Sequence, residues 1–334
     1  MMDVQRMRLI VDEVELGTMP RVSRMAAERW TGPAGADELV YVRSSANHLF
    51  RFSHEGGPCF LRLTHIEERH ASTIAAELDF VRHVAGAGLA VARPVPSTNG
   101  LLIEEVSAEG QRYHAVAFEG LRGDQLEVDD LDEARFRAWG SGLALVHQAS
   151  QTFPPARRPG WHPQAREVLR TLPSEETEVA RVITSGLRWL ETLPISAQDY
   201  GLIHGDFELD NIIWDGQRVQ ALDFDDASYG WYGLDIAIAL QDVWKAGDEG
   251  DAARAQRDER FRSFAEGYAT VRPLPLGIPD SMPRLLNLLL AVKMARLLRA
   301  YAPAPRSEDP EWLARMRAKH ERWLSARRAE LRWE

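Results

Sequence analysis

The sequence predicts an α+β protein of two lobes, a small β-rich N-terminal lobe and a larger helical C-terminal lobe. Three observations carry this expectation. A chain of 334 residues is longer than one hydrophobic core usually supports. Between residues 38 and 119 the apolar pattern falls into short β-rich runs broken by turn residues. Beyond residue 120 the pattern becomes mostly helical. The expected divisions are a helical extension over 1–37, a sheet lobe over 38–119 and a helical lobe over 120–334.

Taken in order, residues 4–30 read as helix, ending near Thr31-Gly32-Pro33. "LVYVRSS", "HLFRF" and "CFLRL" read as strands, the last two separated by Glu55-Gly56-Gly57-Pro58. "HASTIAAELDFVRHVAGAG" places Ile74, Leu78, Val81 and Ala85 along one helix face, with glycines at its end. "GLLIEEV" and "YHAVAFE" are two further strands. After "GLRGD", helices are expected in "LDEARFRAWGSGLALVHQAS" and "SEETEVARVITSGLRWLETL". Others are expected near 233–245, 254–268, 279–301 and 309–331.

Composition narrows the partners. The formal net charge of -10 argues against nucleic acid, whose phosphates call for a basic patch. The most apolar stretch, "RLLNLLLAVKMARLLRAY", carries Arg284, Asn287, Lys293, Arg296 and Arg299, so a core helix is expected rather than a membrane span. "MMDVQRMRLIVDEVELG" has no long apolar run and no small-residue cleavage site, and reads as no signal peptide. The single cysteine, Cys59, cannot form an internal disulfide and fits a cytoplasmic location.

"LIHGDFELDNIIWDGQRVQALDFDD", residues 202–226, concentrates acids where core strands are expected. Asp215-Gly216 is a two-residue turn signal between "NIIW" and "RVQALDF". If the runs pair around it, Ile213 lies near Arg218 and Ile212 near Val219. Asn211 then opens one strand and Asp223 closes the other, at the end reached by His204-Gly205-Asp206. Hard oxygens from Asp206, Asn211 and Asp223 thus converge. Such a set suits Mg²⁺ shared with nucleotide phosphates, with a further carboxylate able to take a proton from a hydroxyl. That is the chemistry of phosphoryl transfer. The metallophosphatase tripeptides Asp-x-His and Gly-Asn-His, and the P-loop Gly-Lys-Ser/Thr, do not occur.

In "HGDFELDN" the asparagine stands five residues after the aspartate, and Asp223 of "LDFDD" follows twelve residues later. This pair of motifs resembles the aminoglycoside phosphotransferase, choline kinase and type II homoserine kinase superfamily, whose fold is like that of protein kinases. The resemblance covers roughly residues 25–300. It implies Asp206 as catalytic base, Asn211 and Asp223 as Mg²⁺ ligands, and ATP as phosphoryl donor. Asp225 stands where protein kinases have the glycine of Asp-Phe-Gly.

A kinase of this shape also needs a cation on the phosphates and an acid to hold it. Glu77 sits on or beside the buried stripe of its helix, where an unpaired acid is costly, and Arg62 is its natural partner. By resemblance this is the strand-to-helix ion pair of kinases, with arginine in place of the usual lysine. "RSSANHLF" is the candidate phosphate loop, with Ser45 in its small-residue stretch and Asn47 beside it; a plain hairpin turn is the alternative. Adenine is expected near Phe118, Glu119, Ile213 and Leu222, each of which could equally be core. His147 reads as a structural histidine, and Asp235 as a helix cap or a brace for the catalytic loop.

The expected activity is ATP- and Mg²⁺-dependent phosphorylation of a hydroxyl on a small molecule. A bacterial-type protein Ser/Thr kinase and a nucleotide-binding pseudokinase are the alternatives. Helix soon after Asp226 and the absence of Ala-Pro-Glu favour small acceptors. Trp214, Tyr229, Trp231 and Tyr232, with nearby acids, either attract a cationic acceptor such as an amino alcohol or amino sugar, or pack the helical lobe.

Overall fold

The computed structural model describes residues 1–36, 38–55, 57–244, 250–302, 306–331 and 333. Of the positions named above, Gly56, residue 245 and the bounding residues 37 and 334 lie outside the described residues. The chain opens with α1 (Val4–Glu15) and α2 (Arg21–Ala36), then β1 (Val40–Ser44), β2 (His48–His54), β3 (Gly57–His65) and α3 (Ala71–Gly86). β4 (Ala90–Val91), β5 (Pro94–Val95), β6 (Glu104–Ala108) and β7 (Gln111–Glu119) follow. Next come α4 (Glu133–Thr152), α5 (Trp161–Arg170), α6 (Thr177–Leu190), β8 (Tyr200–Ile203), β9 (Ile212–Asp215), β10 (Arg218–Ala221) and β11 (Ser228–Trp231). The chain continues through α7 (Tyr232–Ala239), α8 (Asp251–Ala269), α9 (Met282–Tyr301) and α10 (Glu311–Arg328). No helix among the described residues is long and apolar enough to cross a membrane.

The chain forms two compact units. One comprises residues 1–78, 93–120 and 294–329; the other comprises 79–92, 121–293 and 330–334. In the first, β1, β2, β3, β7 and β5 pair in that order, with β6 also on β7. Phe50, Leu61, Leu63, Ala115 and Ala117 alternate onto one sheet face and bury against Trp30, Ala26 and Ala27 of α2. The stretch expected as one helix over 4–30 is two, separated by a loop that contains Pro20. α10 closes on α1 through the Trp312 indole N–H, which donates to Asp12 at 2.8 Å.

In the second unit, α4 begins at Asp132, whose carboxylate accepts the Arg135 N–H at 2.8 Å. Its buried stripe includes Phe136, Trp139, Leu143 and Val146. α8 crosses it so closely that a Cβ on Gly140 would meet the Phe264 carbonyl oxygen at 2.0 Å, so only glycine fits. α6 buries Val179, Val182, Ile183, Leu187 and Leu190 at helical spacing. Each such side chain removed from water contributes about 1.5–3 kcal/mol. The short strands β4, β10 and β9 form one sheet, and β11 and β8 a ribbon.

Candidate active site

The β9–β10 hairpin builds the acid cluster, in a register two residues away from the expected one. Trp214 pairs with Val219, and Ile212 with Ala221. Gly216 and Gln217 occupy the tip, because Gly216 takes the positive φ of 62° that a two-residue turn needs at its first central position. The open end is as expected. The Leu222 N–H donates to the Asn211 carbonyl at 3.1 Å, so Asn211 and the residue before Asp223 face each other.

Asn211 and Asp206 are in direct contact. The Asn211 amide nitrogen donates to the Asp206 carboxylate at 2.7 Å and to its backbone carbonyl at 2.9 Å. Burial raises the Asp206 carboxyl well above the usual range, and the carboxylates of Glu208, Asp226, Asp223 and Asp225 push it the same way. Asp206, Glu208, Asp223, Asp225 and Asp226 thus act on one another in one place, which favours positive charge there. Asp223 itself has φ of 63°, a left-handed conformation that costs a non-glycine residue about 1–3 kcal/mol and persists only where its surroundings hold it.

The loop ahead of Asp206 is held from beneath. The Asp235 carboxylate accepts the backbone N–H groups of His204 at 2.7 Å and Gly205 at 2.8 Å, and the His147 Nε2–H at 2.9 Å. Burial opposes its ionisation, but the hydrogen bonds from His147 and from the Gly205 N–H help to outweigh that, and the carboxyl lies below its ordinary value. His147 is kept neutral by burial against the pull of Asp235, so its Nδ1 accepts from the Tyr268 hydroxyl at 2.7 Å. Asp235 is therefore a brace. It lies inside α7, whose N-cap is Trp231, so the capping alternative is set aside. Gly205 has φ of 83°, and a Cβ there would stand 2.4 Å from the Asp226 carbonyl oxygen. His204 packs between Phe207 and Phe224, and burial pushes its imidazole down to about 4.

In the first unit, Arg62 and Glu77 form two parallel hydrogen bonds of 2.7 and 2.9 Å, with 5% and 0% of their side chains exposed. The guanidinium also lies over the Phe118 ring at 5.1 Å. Asn47 is buried and its side-chain oxygen accepts from the Thr64 hydroxyl at 2.7 Å, while Ser45 stays exposed at the hairpin tip and its N–H donates to the Asn47 carbonyl. Phe118 is half-buried and Glu119 exposed. In the second unit, Ile213 and Leu222 are half-buried.

The aromatic residues near Asp226 do not form an open cage. Trp214, Trp231 and Tyr232 are buried; the Trp231 indole donates to the Pro194 carbonyl, and Tyr232 stacks on His147 at 4.2 Å. They pack the second unit, which is the packing alternative. Arg158 escaped the sequence reading. It is buried beside the metal-candidate segment, and no local pattern in "PPARRPGW" marks it.

The donor set fits a hard cation. With the Asn211 amide nitrogen committed to Asp206, its oxygen is the donor a cation would meet, and Asp223 supplies charge. Among the described residues no three His, Cys, Asp or Glu side chains gather as a metal cage.

The model of the phosphotransferase enzyme family matches residues 40–274. The chain belongs to that family. It is 28% identical to the amicoumacin kinase of Bacillus subtilis (strain 168) over 239 residues, 70% of this chain and 71% of that protein. Among solved structures, an amicoumacin kinase in complex with AMP-PNP and Ca²⁺ superposes with a TM-score of 0.73 at 23% identity, covering 87% of this chain and 89% of that one. A microcompartment-associated aminopropanol kinase superposes at 0.67 with 21% identity, covering 93% and 98%. The fold of this phosphotransferase is kinase-like, and its reaction is transfer of a phosphoryl group to a hydroxyl of a small molecule.

Proposed function

We propose that the donor is ATP with Mg²⁺, that Asp206 is the catalytic base, and that Asn211 and Asp223 hold the metal. The observation that carries this reading is the Asn211–Asp206 contact at 2.7 Å, which fixes the proton acceptor and one metal-ligand candidate relative to each other. Bound Mg²⁺ would neutralise charge on the transferring phosphoryl group. Asp206 would orient the acceptor hydroxyl and take its proton. Burial and the neighbouring acids raise its affinity for protons, and positive charge facing Asp223 would lower it. Arg62, fixed by Glu77, would steady the donor phosphates, and arginine suits that task because its fork can hold a carboxylate and a phosphate together. The Ser45–Asn47 turn would cover the phosphates. Phe118, Glu119, Ile213 and Leu222 would border the base.

We further propose an acceptor that carries an amine. Support comes from the acids around Asp206, Glu208 foremost, rather than from the buried aromatics. Cys59, buried and free, fits a reducing cytoplasm. The test is a panel of matched neutral and amine-bearing alcohols assayed for acceptor-dependent ADP release at low and high salt. Preference for the amines that weakens with salt is expected. Equal turnover of the neutral set at both salts would remove the amine while leaving the phosphotransferase reading.

A further inference from the structure

Arg158, on the loop between α4 and α5, is 7% exposed. Its Nε donates to the Ala227 carbonyl at 2.7 Å, and its Nη2 donates to the Asp225 carbonyl at 2.5 Å and reaches that of Phe224 at 3.5 Å. One guanidinium thus gathers three carbonyls from the four residues that follow Asp223. The same loop is stitched further along. The Tyr229 N–H donates to the Pro159 carbonyl at 2.9 Å, and the Ala156 N–H donates to the Tyr229 hydroxyl at 3.1 Å. On the other side of Asp223, the Leu222 N–H is tied to Asn211.

Asp223, held left-handed between these two anchors, has no glycine's freedom, so its conformation depends on them. A lysine offers a point charge and could not reach all three carbonyls with a fixed fork. The guanidinium also brings a permanent positive charge to the backbone of the segment that carries Asp223, Asp225 and Asp226.

We propose that Arg158 is a positioning residue for the metal site: it locks the backbone of residues 224–227 so that Asp223 presents its carboxylate before nucleotide and metal bind. This rests on the reading of Asp223 as a metal ligand.

The test compares Arg158→Lys and Arg158→Ala with the unaltered chain. Calorimetry reads AMP-PNP affinity in EDTA and across a Mg²⁺ series, and a thermal melt checks folding. In folded variants the Mg²⁺ concentration giving half of the affinity gain should rise about 10–100-fold. Affinity in EDTA should stay unchanged, excess Mg²⁺ should restore binding, and guanidinium ion should partly rescue Arg158→Ala. An unchanged Mg²⁺ series, or equal losses with and without metal, overturns the proposal. Should neither variant fold, amide exchange of residues 222–229 in the unaltered chain decides. Equal protection with and without Mg·AMP-PNP supports a preset loop, and a large gain on binding overturns it. Asp223→Ala separates the two readings: if it keeps the Mg²⁺ dependence, the ligand assignment fails first.

Discussion

Arg62 of β3 and Glu77 of α3 meet through two parallel hydrogen bonds of 2.7 and 2.9 Å, and both side chains are out of water. Removing one partner strands a buried charge, which typically costs about 3–5 kcal/mol. Arg62→Met and Glu77→Gln should each lower stability and nucleotide affinity, and the double variant should cost less than the sum. A double-mutant cycle read by denaturant midpoint and by AMP-PNP calorimetry checks this. Strict additivity in both would mean that the pair acts as two independent residues.

Asp235 accepts two backbone amides of the His204-Gly205 loop and the His147 imidazole. Asp235→Asn keeps the shape but removes the charge, and its amide nitrogen must face at least one donor. A loss of about 1.5–3 kcal/mol in stability is expected, with a fall in kcat as Asp206 loses its seat. Unfolding in urea and single-turnover kinetics provide the readings. An unchanged midpoint would mean that the loop holds itself.

Buried histidines make stability depend on pH. Burial pushes His48 down to about 3, with His65 adding to the effect, and burial likewise pushes His204 down to about 4. The unfolded chain protonates histidine near pH 6.5, where the folded chain does not. The unfolded state therefore binds more protons as pH falls, and stability is lost from about pH 6.5 downward. The loss from His204 levels off near its folded value, after roughly 3 kcal/mol. Thermal midpoints of the chain and of His48→Gln should differ in slope between pH 6.5 and 4, with the variant flatter. Parallel slopes would remove His48 from the effect.

Asn211 and Asp223 should differ in weight. Asp223→Ala removes charge and should abolish Mg²⁺-dependent nucleotide binding, whereas Asn211→Ala removes a neutral amide and should weaken it less. Asn211→Ala should in addition loosen Asp206, through loss of the 2.7 Å contact. Calorimetry in Mg²⁺ and in EDTA ranks the two. The reverse ranking would exchange their roles.

Much of this site was legible because its chemistry is written locally. Asp206, Asn211 and Asp223 lie within eighteen residues, and a hairpin brings the last two together whichever of the neighbouring registers it adopts. The register was misjudged because Asp215-Gly216 and Gly216-Gln217 are both acceptable tips, and the backbone takes the second: Gly216 has a positive φ, whereas Asp215 does not and pairs with Arg218. Glu77 was readable as a buried acid in need of a partner, since helical periodicity alone placed it against apolar neighbours. Arg158 was not. It acts by reaching carbonyls 66 to 69 positions away, and backbone oxygens carry no sequence signature. The aromatics after Asp226 were ambiguous for a related reason, because packing and cation binding use the same residues and only burial separates them. The short strands β4, β8 and β11 carry too few residues to show a period.

The most direct test of the central claim uses the unaltered chain and Asp206→Asn side by side, with Mg·ATP and an amine-bearing alcohol, followed by ³¹P NMR. The unaltered chain should form an acceptor phosphate ester with matching ADP. Asp206→Asn should fold and bind nucleotide normally, yet form the ester about 10²–10⁴-fold more slowly. Ester formation at an unchanged rate in Asp206→Asn would contradict the role given to this carboxylate and to the cluster built around it.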